Sequence, residues 1–539
     1  MKKINFLLVF FLIFSIISEA QVIVQRVTLE NNIKAYFQNT GIFDQNTTSG
    51  NLSGFEWPIG SGKNAIFTTG LTIAGYINGV YCMASASYKG EYGPGKCNSG
   101  IPYTDSTFKI YKVKIGDNYL NNPDWLNWGR MVPYGAPFID ANNNGTYEPM
   151  IDTPGVRKAS QTIFMCLTDG FDSSHSSGEG FGGGTSPMFS EMHMTAWCYD
   201  KPELGDVQFV KWDIINKSTY AWDSTIFSVI CDPDLGYAND DYIGVDTSKK
   251  LGYCYNGTNN DQVYGPAPPA VGIILLKGAV RKNVTPNINV ALSSYDFFTN
   301  TSVAPPPCES DPNGEPYPAY LLMSGFKKDS TAFLDPGTGS PPYSQTKFVY
   351  PGDPETNNGW TETQGSIQNC YGELTGTYVH PNPVGDRRFC LNSGKVKVNA
   401  IDTQTIIIAQ LIRKGSSNKN SVTLLKQFAD SIIAFYNNGF TIGITNLSKV
   451  VPKEFRLFQN YPNPFNPVTN IKFDIVKAGI VNLKVYDVQG REISILVNDN
   501  LSPGTYETTW DASALPSGIY FYRLQTKDFS GSKRMILVK

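Results

Sequence analysis

The sequence predicts a mainly β protein: a multi-unit, β-sandwich-like body with one long helix near 421–437, followed by a C-terminal immunoglobulin-like β-sandwich. Three observations predict it. Apolar and polar residues alternate over many short runs, which is the period of half-buried strands. The 50 Gly and 34 Pro break those runs with turn chemistry at close intervals. Only one long stretch, 421–437, keeps helical spacing: Val422, Leu425, Phe428, Ile432 and Phe435 form its apolar stripe, Ser421 is placed to cap it and Gly439 to close it.

At the N-terminus, Lys2 and Lys3 precede an apolar run from Ile4 to Ile17, and Ser18-Glu19-Ala20 supplies small residues before a cut. That pattern marks 1–20 as a secretory signal peptide. The run is short for a membrane span, and no later one is as apolar, so no transmembrane segment is expected in the mature chain. Gln21, where a lipoprotein would carry Cys, argues against a lipid anchor. In the body, Ala65–Ala86 reads as two or three strands around Gly70, Gly75 and Gly79. Phe108–Ile115, Val207–Asn216, Ile226–Cys231, Ile273–Lys277 and Thr405–Ile412 each read as one strand. Asn122-Pro123 suits the start of a short helix, with Asn capping and Pro in the first turn. The body exceeds what one hydrophobic core usually serves. The Pro-rich stretch from Val303 to Pro318 reads as a joint or a long loop; as a joint it gives units 21–304 and 319–440, with 441–454 as a linker.

The last segment, 455–539, has its own alternation. Ile471, Phe473 and Ile475, then Val481, Leu483 and Val485, then Tyr506, Thr508 and Trp510 mark successive strands, before 519–526 and 534–538. Its blocks FRLFQNYPNPFNPVTNIKFDI, VNLKVYDVQGREISILV, LSPGTYETTWDASALPSGIYFYRLQT and KRMILVK resemble the type A sorting domain of type IX secretion cargo in Bacteroidota and related bacteria. The resemblance implies export to the medium or the outer cell surface. It also implies recognition by the type IX outer-membrane translocon and sortase machinery, and removal of the tail afterwards. The body phrases GFEWPIGSGKNAIFTTGL, DWLNWGRMVPYGAPFIDANNNGTYEP and GDRRFCLNSG resemble large secreted proteins of such bacteria that lack an assigned activity.

Charged residues are only 17% while aromatics reach 13%, a balance suited to an extracellular, turn-rich β protein. A net charge of −3 supplies no basic patch for nucleic acid. Nine cysteines without any Cys-x-x-Cys pair argue against zinc ribbons and thioredoxin-like sites. Cys82 with Cys97, and Cys231 with Cys254, are the near neighbours that could close loops, and buried unpaired thiols are the alternative.

The strongest chemical pattern is Asp140-Ala141-Asn142-Asn143-Asn144-Gly145-Thr146-Tyr147-Glu148. Oxygen side chains at positions 1, 3 and 5, with Gly at 6, match the start of an EF-hand-type loop. Position 12 is Ile151 instead of Glu, leaving Asp152 as the substitute. The expected calcium set is therefore Asp140, Asn142, Asn144, Thr146 and Asp152, and an Asx-turn loop is the competing reading. A second acidic group, Asp232, Asp234, Asp240 and Asp241, could also hold a hard cation. Catalytic patterns are sparse. His175, His193 and His380 lack the paired spacing of a zincin, and 178–184 reads as a flexible Gly-rich loop. Glu191 and Glu203 stand only formally as glycosidase acids. Trp57, Trp125, Trp128 and Trp360 suit core packing better than sugar stacking. The function expected is a secreted, non-catalytic surface or binding module with structural calcium and an extracellular glycan or surface partner. The alternative is an extracellular hydrolase acting on glycan or other polymer.

Overall fold

The computed structural model describes residues 24–538 apart from 49, 51, 143, 283, 285, 286, 301–305, 338, 375–381, 438, 439, 441–443, 449, 450, 513 and 514. The expected signal peptide, Gly439 and His380 therefore lie outside the described residues. The chain is mainly β and divides into two compact units, one of residues up to 247 with 252–421, the other of 248–251 with 422–539.

The first unit is a sandwich of two large antiparallel sheets. One runs, in spatial order, Tyr111–Lys114, Gln161–Thr168, Ser190–Cys198, Val207–Asn216, Thr403–Arg413, Ala270–Lys277, Leu251–Asn256 and Asp241–Asp246. The other runs Ser294–Thr299, Arg387–Val398, Trp222–Asp232, Thr68–Ile77 and Val80–Ala84. Alternation builds the core. In Val207–Asn216 the residues Val210, Trp212 and Ile214 face inward, while Lys211 and Asp213 alternate with them. From the opposite sheet Leu71, Ile73, Phe227, Val229, Phe389 and Leu391 join the same buried cluster. The outer face of the smaller sheet is covered by the helix Pro316–Met323, whose Ala319, Tyr320, Leu322 and Met323 pack on Ala74, Ile226, Ile230 and Cys390. Near one edge of the larger sheet, segment 108–147 packs Phe108, Trp128, Met131 and Tyr147 on Phe164 and Cys166.

The Pro-rich joint expected at 303–318 does not separate two β units. Strands after it fill interior positions between strands before it: Arg387–Val398 pairs with Trp222–Asp232, and Thr403–Arg413 pairs with Val207–Asn216. Nor do the two short-range cysteine pairs form. The disulfide is Cys308–Cys370, 62 residues apart, and Cys82, Cys97, Cys166, Cys198, Cys231, Cys254 and Cys390 are free and buried.

Asn122 caps Pro123–Asn127 as expected, its side chain accepting from the Asp124 amide at 2.8 Å. The long helix spans Asn418–Asn437, beginning three residues before the expected start. Ser421 lies in its first turn, where its hydroxyl donates to the Ser417 carbonyl at 3.0 Å instead of capping the end.

In the second unit two four-stranded sheets enclose one core. One contains Ile444–Ser448, Gly504–Asp511, Val468–Ile475 and Arg456–Leu457; the other contains Glu492–Leu501, Gly479–Tyr486, Gly518–Gln525 and Ser530–Leu537. Ile471, Phe473, Ile475, Val481, Leu483, Val485, Tyr522 and Leu524 fill the interior, the residues whose alternation marks these strands. Phe465 packs against Trp510 with ring centroids 5.6 Å apart. The expected linker 441–454 is partly structural: Ile444–Ser448 pairs with Gly504–Asp511.

Candidate functional site

The Asp140 loop hangs from a short ladder in which Phe138–Ile139 pairs with Thr153–Pro154. Tyr147 anchors its middle, buried beside Trp128 and Phe138, with its hydroxyl donating to the Trp125 carbonyl at 2.7 Å. Asp140 Oδ1 accepts from the Asn144 amide at 3.2 Å and Oδ2 from the Gly145 amide at 2.7 Å. Gly145 has φ of 77°, a left-handed turn that a side chain would strain. Asn144 Oδ1 accepts from the Thr146 amide at 2.7 Å. The side-chain amides of Asn142 and Asn144 both donate to Glu148 Oε2, at 2.6 and 2.7 Å. Asp152, 2% exposed, closes the loop: its oxygens accept from the amides of Ala141 at 2.9 Å and Glu148 at 2.7 Å.

Glu148 is absent from the expected set, yet it is where the two Asn side chains meet. It occupies position 9 of the loop, a ligand slot in EF-hands, and that count was the available signal. Asn143 lies outside the described residues.

The second acidic group assembles differently. Asp232 and Asp234 come together with Asp386, their ligand atoms within 4.8 Å of one another. Arg388 is shared among them: one guanidinium nitrogen lies 3.1 Å from Asp232 and another 2.6 Å from Asp386. Burial pushes the Asp232 carboxyl well above its ordinary range, against the pull of Arg388, and raises Asp234 to about 6. Asp241 instead accepts from the Leu235 amide at 3.1 Å, and Asp240 accepts from the Asn256 side chain. Asp386 and Arg388 lie some 150 positions downstream of Asp232 in the chain, and only strand pairing brings them near.

The remaining candidates are tied into the fold. Glu191 Oε1 lies 3.0 Å from His193 Nε2 and Oε2 accepts from the Cys97 amide at 3.0 Å, whereas Glu203 is exposed. Trp128 and Trp360 are core residues, and Trp57 and Trp125 pack against the same clusters. The Gly-rich loop 178–184 is pinned where flexibility was expected. Glu91 accepts from the Ser176 and Gly184 amides at 3.1 and 2.9 Å, and buried Glu179 accepts from the Tyr88 amide at 2.9 Å.

The described residues contain no helix long and apolar enough to cross a membrane. No curated protein matches the chain. Residues 459–539 match the family model described as the secretion system C-terminal sorting domain, so this protein is secretion cargo carrying its export address at the C-terminus.

Proposed function

We propose that this is a protein of the cell exterior whose body is a non-catalytic surface or binding module, with calcium as a structural brace in the Asp140 loop. Export runs in two stages: the 1–20 signal peptide to the periplasm, then the tail through the type IX translocon and its sortase machinery. The sorting-domain match supports the address. The observation that carries the calcium reading is that Asn142 and Asn144 both reach Glu148 while Asp140 and Asp152 hold backbone amides of the same loop. A half-turn of each Asn amide about its last bond exchanges NH₂ for oxygen, giving up the bonds those oxygens accept from the Thr146 and Asn144 amides. Two donors on Glu148 then become two more acceptors beside its carboxylate, an oxygen-only set of the kind calcium takes. The Thr146 carbonyl at position 7 completes it. At the Asp232 cluster, Arg388 already supplies the positive charge a cation would bring, which favours an ion-pair network there.

The non-catalytic reading is supported by the commitments just described: Glu191 is engaged by His193 and Cys97, and the tryptophans fill cores. An extracellular glycan or a surface protein is the partner class proposed.

Calcium that binds only the folded state stabilises it by RT ln(1 + [L]/Kd), about 1.4 kcal/mol at tenfold excess over Kd. Wild type should melt higher in millimolar calcium than in chelator. Asp140→Ala, and the pair Asn142→Ala with Asn144→Ala, should erase the difference. A wild-type midpoint indifferent to millimolar calcium would leave an Asx-turn loop only. Turnover of a glycan or peptide substrate, lost on replacing one acidic residue, would overturn the non-catalytic reading.

A further inference from the structure

We propose that Cys166, Glu191 and His193 form a zinc site on the outer face of the larger body sheet. Sheet register creates it. Cys166 and His193 are direct cross-strand partners in the Gln161–Thr168 and Ser190–Cys198 pair. Glu191 lies two residues before His193, so it shares that face. The inward neighbours Met165, Met192 and Met194 belong to the sandwich core, which leaves the intervening side chains pointing outward. One thiol, one carboxylate and one imidazole thus meet with their ligand atoms within 4.8 Å of one another, and the Glu191–His193 contact is 3.0 Å.

The donor set selects the metal. Zinc accepts sulfur, nitrogen and carboxylate oxygen at roughly 2.0–2.3 Å, so its ligand atoms sit roughly 3.3–3.8 Å apart around a tetrahedron. To reach that spacing the Glu191–His193 pair, now 3.0 Å apart, opens slightly while the Cys166 sulfur, within 4.8 Å of both, draws in. Calcium prefers oxygen alone and is disfavoured by thiolate and imidazole. This site is thereby chemically distinct from the Asp140 loop.

The surroundings hold the ligands in place. Tyr134 packs edge-on against His193, ring centroids 5.8 Å apart. The Cys97 amide fixes one Glu191 oxygen at 3.0 Å. Lys217 lies 3.6 Å from the other, and the Cys166 thiol donates to the Gly95 carbonyl at 3.1 Å. Zinc takes over from both contacts. On binding, the thiol proton leaves to solvent and a sulfur–zinc bond replaces the sulfur–hydrogen bond. The proton that His193 Nε2 shares with Glu191 passes to Nδ1 so that Nε2 can ligate, and Lys217 is released from its ion pair. Three protein ligands leave a fourth position for water, the open coordination that catalytic zinc sites share, so turnover assays of the zinc-loaded chain also test the non-catalytic reading proposed above.

The test uses the purified full chain, stripped of metal, with zinc and cobalt as probes. One equivalent of zinc should bind and resist excess calcium, and cobalt should show a thiolate-to-metal charge-transfer band. Cys166→Ser should abolish that band, and both it and His193→Gln should weaken zinc binding by at least about tenfold. Cys254→Ser, in a different strand, should leave both signals intact. Metal-free melting curves report whether each variant folds. If Cys166→Ser does not, His193→Gln decides the matter, since that side chain is 11% exposed and sits at the rim. No stoichiometric zinc binding, or binding unchanged in His193→Gln, overturns the proposal.

Discussion

Replacing Asp44 by Asn should remove a pH dependence that this one carboxyl imposes on the body. Asp44 is fully buried beside the core residue Phe43. Gln410 donates to its Oδ1 at 3.2 Å, while Oδ2 has no hydrogen-bond partner among the described residues. Burial raises its pKa from 3.8 to about 7, and the Thr69 and Gln410 side chains offset that only in part. The sign follows from proton counting. Between these two values the native state holds a proton that the unfolded chain has lost, so stability falls as pH rises through the window and levels off above 7. Integrating the linkage gives a cost of about 2 kcal/mol at pH 5 and about 4 kcal/mol at pH 8. The stability of Asp44→Asn relative to wild type should therefore rise by roughly 2 to 3 kcal/mol between those pH values. The absolute offset depends on what the new amide finds, but the difference in slope does not. Asn also tolerates the backbone here, where φ is 67°. Urea unfolding at several pH values, followed through tryptophan fluorescence, measures it. Other buried acids, Glu91 raised to about 7 among them, are common to both proteins and cancel. Parallel pH profiles for wild type and variant would refute the reasoning.

Opening the 62-residue separation between Cys308 and Cys370 with a double Ser substitution should lower body stability by about 4 kcal/mol on the chain-entropy account, read as a loss in urea midpoint. Deleting 455–539 should keep the protein from the cell surface and the medium, and deleting 444–539 should do so without leaving Ile444–Ser448 as an unpaired strand. Cell fractionation tests both, with the shorter deletion expected to aggregate more, and unchanged surface display by either would contradict the sorting role.

Local signals were legible where structure is local. The alternation of Val210, Trp212 and Ile214, the Asn122 cap and the helical stripe from Val422 to Phe435 each depend on residues within a few positions of one another. The tail was legible for the same reason, since its core residues Ile471, Phe473, Val481 and Leu483 keep strict period two. What stayed hidden is long-range. Prolines between 305 and 318 look like a joint because they forbid regular pairing locally, yet they introduce the helix Pro316–Met323 that covers one sheet. Cys82 and Cys97, like Cys231 and Cys254, are near in sequence yet stay free as buried thiols, while the fold joins Cys308 to Cys370. Asp386 and Arg388 meet Asp232 only because Arg387–Val398 lies beside Trp222–Asp232. Spacing along the chain carries no trace of that.

The position of the last two body strands bears on how the protein can be made. Arg387–Val398 lies between Trp222–Asp232 and Ser294–Thr299, and Thr403–Arg413 lies between Val207–Asn216 and Ala270–Lys277. These two strands are consecutive in sequence but belong to opposite sheets, so a single arch supplies the missing slat on each side. Until it arrives, the larger sheet is two separate pieces and the smaller lacks a link. Folding from the N-terminus forward, as residues emerge, therefore cannot reach the native sandwich. A chain that emerges N-terminus first keeps unpaired strand edges exposed until residue 413 is through, a period in which edge-to-edge association competes with closure. Folding of this body is a terminal event, and whatever shields it beforehand must act on nearly the whole chain.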